Sequence, residues 1–473
     1  LHESLNRALH ENAPRFTTAP TPPASLLIHG AVLLLWLGLL GNIFLAHGIF
    51  TWSAGLVYIG YDTLLLGFTA WQTWPLRRNA PPPPTHGPRP TLAVVVAAFN
   101  EAAVLPATIA ALRRQSEPPE EIIIADDGST DATAPALAQF GLETPPIGGA
   151  SRVPGLTWLR LPHGGKARAL NQALPHINSE IFLTVDADTQ LDPGALAAMR
   201  DAFADTPGLV AATGVLTPAC DASPSGRILE WFQTYEYVRN FLSRYAWAQT
   251  DSLLLISGAF AGFRRAAVQT VGGFDPDCLV EDYELIHRLR RHGYNHNLGW
   301  HSTALGAARA QTAAPATIPA FLRQRRRWFG GFLQTQFWYR DMVGNPKYQK
   351  LGLWMLPVKA VDTLQPLYGL LAFGLLLSYI LTGRTQTLIP VGSLILGKIC
   401  LDLAFHIWSI HLYRNWTGGQ TKLAITPAIA AAIIEPFSFQ LLRHLGATLG
   451  WLKFLTGNQT WGTQHRTKPN PAS

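Results

Sequence analysis

Apolar residues are concentrated toward the two ends of the chain, whereas the middle alternates between short apolar runs and polar stretches. Residues 26–50 and 52–74 are apolar, nearly free of charge and long enough to cross a bilayer. Apolar character returns at about 351–381, 387–412 and 423–455. Between the two sets, residues 91–340 have the composition of an α/β domain large enough for its own core. Within it, residues 91–98, 122–124 and 181–185 read as short buried strands, and 104–115 as a helix. Strand and helix alternate to about Thr217, the pattern of a parallel sheet covered on both faces. The sequence further predicts a long aromatic helix over 225–249, strand and turn over 252–264, and a helix opened by acids over 281–292. Residues 319–340 are amphipathic and rich in Arg and aromatics, which suits a bilayer surface.

The expected organisation is then a loose leader (1–25), two spans (26–74) and a stiff linker (75–90) carrying Pro81-Pro82-Pro83-Pro84. The central domain (91–318), an interfacial region (319–350), about three spans (351–455) and a tail (456–473) follow. A hydrophobic content of 48% is high for a soluble chain of 473 residues, and the excess lies in the terminal runs. No cleavable signal peptide is expected, because the first apolar run leads straight into a second.

The net charge of +7 does not point to nucleic acid, because the basic residues sit beside the apolar runs. Arg77, Arg78 and Arg89 follow the second run; Arg323 to Arg327, Lys347 and Lys350 precede the third. The positive-inside rule puts the central domain in the cytoplasm, on a multi-pass protein of the plasma (inner) membrane. Cys220, Cys278 and Cys400 lie too far apart for a disulfide or zinc framework. Three C-terminal spans would leave the tail outside, yet Arg443, Lys453, Arg466 and Lys468 favour the inside. A break at Glu435-Pro436, making a re-entrant hairpin or interfacial helix, would restore a cytoplasmic tail. Lys359, Asp362, Lys398, Asp402 and Glu435 are costly in lipid and are expected to line a path through it.

Four motifs carry chemistry. Asp126-Asp127-Gly128 and Asp186-Ala187-Asp188 each follow a buried strand, and an open α/β sheet binds ligands at the carboxyl ends of its strands. Carboxylates gathered there need a cation, and oxygen-only ligands fit Mg²⁺ or Mn²⁺ on Asp186 and Asp188 with a bound diphosphate. His163-Gly164-Gly165-Lys166 puts glycines and a cation at a helix start, where phosphate is favoured. Glu281-Asp282 offers a carboxylate that can take a proton from an attacking hydroxyl. Gln324-Arg325-Arg326-Arg327-Trp328 combines arginines for a diphosphate with an aromatic face for a sugar. Taken singly, each has a structural alternative: a helix cap at Asp126, an exposed basic helix start at Lys166, dipole acids at Glu281, and a headgroup anchor at Arg325 to Trp328.

In this order and spacing, the motifs resemble those of the family-2 glycosyltransferases, above all the membrane-embedded synthases of chitin, hyaluronan, poly-N-acetylglucosamine and cellulose. The resemblance covers residues 91–340 and, more loosely, the C-terminal spans. It implies an α/β GT-A-type nucleotide-sugar domain, a mostly parallel sheet with helices on both faces, inserted between transmembrane helices. It also implies inverting, processive transfer from a UDP-sugar, with UDP-GlcNAc or UDP-glucose favoured, to build and export a β-linked polysaccharide. Phe99, Asn100 and Glu101 would then line the base pocket, with Asp126 and Asp127 on the base and ribose. Lys166, Asp186, Gln324 and Arg327 would hold the donor. Asp282 would be the base beside Glu281, and Ser257, Gly258 and Trp328 would meet the acceptor.

The partners implied are the UDP-sugar, a growing glycan or lipid acceptor, the bilayer and accessory export proteins. Trp461-Gly462 with Arg466 is similar to a gating-loop ending of several synthases. Two departures stand out: Val280 occupies the position of a Thr, and Thr312-Ala313-Ala314-Pro315 lacks a Glu that relatives carry before the Pro. The rival readings are a glycolipid transferase, since ceramide glucosyltransferases also carry Gln-x-x-Arg-Trp, and a non-catalytic membrane transporter or scaffold.

Overall fold

A computed structural model describes residues 2–17, 19–78, 88–419 and 423–457. Pro81 to Pro84, Trp461, Gly462, Arg466 and Lys468 lie outside the described residues. The central domain is built on nine strands: β1 Leu92–Ala98, β2 Glu121–Asp126, β3 Ala150–Val153, β4 Leu156–Arg160, β5 Ile181–Asp186, β6 Thr189–Leu191, β7 Leu209–Ala219, β8 Phe260–Arg264 and β9 His301–Ala313. They form one sheet in the order β3-β4-β2-β1-β5-β8-β7-β9-β6. The parallel part expected from the alternating pattern is β4-β2-β1-β5. Its central strands are apolar along nearly their whole length because helices cover both faces. β8 enters antiparallel to both β5 and β7.

Register places the site. Ala98 of β1 is level with Asp126 of β2, and Ala97 is level with Asp186 of β5, so both acidic pairs end neighbouring ladders on one edge. Of the stretch predicted as strand and turn, only Phe260–Arg264 joins the sheet. Leu253, Leu254 and Ile256 are buried but unpaired in the ladder, because the chain there turns toward the helix that carries Asp282.

Helix α1 His2–Asn12 packs on the domain outside the cavity wall, and five helices border the site: α2 Lys166–Ala173, α3 Pro224–Gln249, α4 Glu281–Asn295, α5 Ile318–Trp338 and α6 Phe439–Leu455. Residues 2–12 are not the loose leader expected from sequence. Leu5 and Leu9 of α1, one turn apart, are buried against the domain, where Gly272 adopts φ +95°. A Cβ at Gly272 would run into the Leu9 backbone. Arg15 then binds Asp275 at 2.7 Å and Asp277 at 2.9 Å. Two leucines are too narrow a stripe to announce a helix without the surface that receives them.

Among the described residues, four helical stretches are long and apolar enough to cross a membrane: Pro23–Leu45, Gly48–Arg77, Leu351–Leu381 and Thr385–Trp416. Only 6% of the most apolar window of Thr385–Trp416 is buried, so its apolar side chains face outward, as contact with lipid requires. A fifth stretch, Ile425–Phe437 followed by α6, bends by 48° at the Glu435-Pro436 break. α5 does not lie on the bilayer surface alone. Gly446 and Gly450 of α6 bring the two helices so close that a Cβ at Gly450 would sit 2.8 Å from Cβ of Phe329.

Substituting Gly272→Ala forces a left-handed φ on a side chain that also meets α1, a combined strain of about 1–3 kcal/mol. The expected outcome is a lower melting temperature in detergent and faster proteolysis near Arg15. An unchanged melt with α1 still protected would show that the contact is dispensable.

Candidate functional site

The loops after β1 and β2 are locked to each other and to the start of α2. Asn100, at φ +56°, accepts from the Thr130 amide at 2.8 Å, and its own amide donates to Ser129 Oγ at 2.9 Å. Asp126 is buried and accepts from the Ser129 amide (2.9 Å) and Trp158 Nε1 (3.2 Å). Asp127 takes the Gly164 and Gly165 amides at 2.8 and 2.9 Å, with His163 Nδ1 also 2.9 Å away. Its carboxylate therefore orients the glycine loop. The Phe99 ring stacks on His163 with centroids 4.4 Å apart, an exposed π face beside this loop. Glu101 follows at the same edge and is half-buried.

The loop aims Lys166 into the domain. Its Nζ donates to Asp186 at 2.5 Å and lies 3.9 Å from Glu281 Oε1. Burial alone would lower the lysine's pKa, but Asp186 and Glu281 outweigh it, and Lys166 sits above its ordinary value. Burial lifts the Glu281 carboxyl above its usual range; Lys166 opposes the shift and Asp282 adds to it. Glu281 Oε2 is buried with no hydrogen-bond partner among the described residues.

Asp282 is held differently. Its Oδ2 accepts from the Gly258 amide at 2.6 Å and its Oδ1 from the Tyr283 amide at 2.8 Å. A Cβ at Gly258 would lie 2.8 Å from Oδ2, so only glycine allows this approach. The segment leading to Asp282 is tied to α5. Gln334 accepts from the Leu279 amide and donates to the Asp277 carbonyl, each at 3.1 Å, while Arg327 donates to the Leu279 carbonyl at 3.2 Å. Val280 packs onto Gly331, so the apolar departure at this position fills space between α4 and α5. Gln324 Oε1 is buried without a partner among the described residues. The Arg325 guanidinium lies 4.7 Å over the Trp328 ring.

One cavity of about 680 Å³ joins Lys166, Asp186, Asp188, Ser257, Gly258, Glu281, Asp282, Gln324, Arg327 and Trp328. Phe99, Asn100, Glu101, Asp126 and Asp127 are not on its wall and form the adjoining edge. The cavity continues between the apolar helices to Asp62, Lys359, Asp362 and His444. Of the charges expected to line a path, only Lys359 and Asp362 reach this wall, paired at 2.7 Å. Lys398, Asp402 and Glu435 stand behind it. Lys398 bonds Asp402 and, at 2.7 Å, Asp62, while Glu435 takes Arg239 at 2.5 Å. They are consumed in ion pairs, which removes the cost of isolated charge.

α3 supplies wall residues that sequence reasoning missed. Tyr237, Asn240 and Arg244 follow each other at helical spacing and face the cavity, and Glu236 binds Arg325 at 2.7 Å. The available signal was a run of polar residues on one face of an otherwise aromatic helix. Among the described residues no three His, Cys, Asp or Glu side chains converge on a metal position. A cation here would draw on Asp186 and Asp188 for hard oxygen ligands and on a ligand's phosphates for the rest of its shell, as Mg²⁺ commonly does.

Comparison with known proteins agrees with this geometry. The family described as "glycosyltransferase like family 2" matches residues 88–331. Poly-beta-1,6-N-acetyl-D-glucosamine synthase of Staphylococcus epidermidis is 27% identical over 284 residues, which is 60% of this chain and 64% of that protein. The synthase of Staphylococcus aureus is 27% identical over 282 residues, 59% and 63% of the two chains. The matched region thus spans somewhat less than two thirds of these relatives. A solved mannosyltransferase from Pyrobaculum calidifontis, in complex with GDP-Man and Mn²⁺, shares the fold with a TM-score of 0.50 and 21% identity, covering 82% of this chain and 99% of its own. Since the family match takes in more than half of the residues and contains every motif that meets in the cavity, the chain belongs to glycosyltransferase-like family 2.

Proposed function

We propose that the protein is an inverting, processive membrane glycosyltransferase. It uses a UDP-sugar, UDP-GlcNAc or UDP-glucose, to extend a β-linked polysaccharide and pass it into the membrane. The observation that carries this reading is the single cavity in which Asp282, oriented by two backbone amides, faces Lys166, Asp186, Asp188 and Arg327 and which continues between the apolar helices. The poly-N-acetylglucosamine activity in the names of the staphylococcal relatives supports an N-acetylglucosamine donor.

The chemistry is a single displacement. Asp282 takes the proton of the acceptor hydroxyl as its oxygen bonds to the anomeric carbon. The bond from that carbon to the β-phosphate breaks on the opposite side, and UDP leaves. Lys166 and Arg327 offset the charge that grows on the diphosphate. A Mg²⁺ or Mn²⁺ ion held by Asp186 and Asp188 would supply further charge stabilisation on the same phosphates. Phe99 with His163 offers a platform for the base, and Asp127 fixes the glycine loop that presents Lys166. Trp328 and Ser257 border the acceptor. The basic residues beside the spans favour a cytoplasmic domain, and the 48° bend after Phe437 supports a last segment that does not cross straight through.

Three outcomes test this. Replacing Asp282→Asn should lower transfer by roughly 10²-fold or more, with UDP binding kept; near wild-type turnover would take Asp282 out of the mechanism. Excess chelator should abolish transfer and added Mg²⁺ or Mn²⁺ restore it, whereas full activity in chelator would remove the metal. Membranes incubated with a panel of UDP-sugars should yield long product from one of them. A lipid bearing a single sugar would instead support the glycolipid reading.

A further inference from the structure

Asp275 is a fully buried carboxylate whose cation comes from outside the central domain. It lies in the segment between the helix Arg265–Val271 and α4, seven residues before Asp282. Other grips on this segment take its backbone. Asn171 of α2 accepts from the Phe274 amide and donates to its carbonyl, each at 2.7 Å, and Gln334 of α5 holds Asp277 and Leu279. The Asp275 side chain, at the buried corner between them, is held by Arg15, which donates from Nε at 2.7 Å and from Nη2 at 2.9 Å. Burial and then Glu284 push the Asp275 carboxyl above its ordinary range, while Arg15 and Arg288 pull it back. Arg288 is itself bound to Glu284 at 2.7 Å, so Arg15 is the cation that balances Asp275. Arg15 stands at the end of an arm that bridges the segment. Asn12 of α1 meets His292 of α4 at 2.6 Å, and Leu5 and Leu9 are buried where α1 crosses Gly272. The arm leads into the span Pro23–Leu45, and Thr21 on the way accepts from Arg340, just beyond α5, at 2.9 Å.

We infer that residues 2–17 are a strap that seats the segment leading into Asp282, with Arg15 as its positioning residue. Without that guanidinium, Asp275 must take up a proton or turn out to water, since a buried unpaired carboxylate is costly. Turning out breaks the bond that its Oδ1 accepts from the Asp277 amide at 3.0 Å, and it loosens the turn before α4. Either way the charged grip at the corner is gone, and Asp282 loses its firm seat against the Gly258 amide. Lys166 with Asp186, and Asp127 with its glycine loop, have their partners within the domain and stay in place. The strap therefore bears on proton removal and not on donor binding. The inference rests on the transferase reading for the part that Asp282 plays. It also ties the aim of that carboxylate to the first span, through an arm that lies outside the cavity.

The test is hydrogen exchange beside steady-state kinetics on the full chain in nanodiscs, for wild type, Arg15→Gln and Arg15→Lys. The Gly258 and Tyr283 amides both donate to Asp282, so their protection reports its seat without turnover. In the Gln variant both should exchange about tenfold faster, the scale of one hydrogen bond to a charged group. The Gly164 and Gly165 amides, which donate to Asp127, should keep their wild-type rates and serve as the control. Turnover at saturating UDP-GlcNAc should fall about tenfold or more, with UDP affinity unchanged. Arg15→Lys keeps the charge without the fork and should recover most of both losses. Should the Gln variant fail to fold, the Lys variant carries the test through a smaller change at the same two amides. Wild-type exchange at Gly258 and Tyr283, or equal acceleration at Gly164 and Gly165, overturns the inference. So does a loss of UDP affinity that matches the loss of turnover. A wild-type chain that moves no sugar sinks the transferase reading alone, because the exchange rates still decide whether the strap seats Asp282.

Discussion

The ammonium of Lys166 is the constraint on which the rest of the site depends. It meets Asp186 from β5 and faces Glu281 from α4, so it joins the end of a strand, the start of one helix and the start of another. Without a cation between them, carboxylates so close would drive one another to protonate. The lysine is itself positioned by Asp127, whose two oxygens gather the glycine amides ahead of it. The loop held by Asp127 and the acids that open α4 are therefore one linked unit.

The domain and the apolar helices are joined by charge as well as by packing. Glu236 of α3 takes both Arg325 of α5 and Arg443 of α6, and Arg239 of α3 takes Glu435 at the bend before α6. Removing one partner of such a pair leaves an uncompensated buried charge, a loss of about 3–5 kcal/mol. The network makes the orientation of α5 conditional on α6. Since α5 also carries Arg327 and Trp328, a membrane-side helix has a hand in shaping the cavity.

What the sequence made legible was whatever short-range pattern dictates. Strand-terminal acids, the glycine loop, the acids opening α4 and the Gln324 to Trp328 run stand at the strand and helix ends that the pattern predicts, because each rests on its own element, though Asp126 and Asp127 lie beside the cavity and not on its wall. The residues that escaped notice depend on long-range docking. α1 has only Leu5 and Leu9 to mark it, and its helix makes sense only against Gly272. Tyr237 and Arg244 look like ordinary members of a mixed helix until α5 and the apolar helices close the far wall. Lys398, Asp402 and Glu435 were recognisable as charges in apolar surroundings, but their partners lie on other helices, so pairing could not be told from exposure to a path.

The hydrogen bond from the Gly258 amide to Asp282 has a consequence for motion. That amide belongs to the turn just ahead of β8, while the carboxylate stands on α4, so the bond joins two separate elements of the domain. A displacement of even half an ångström along that boundary would lengthen a 2.6 Å contact and swing the carboxylate toward its remaining amide on Tyr283. The aim of the Asp282 carboxylate thus depends on how the sheet and the α4 helix are seated against each other.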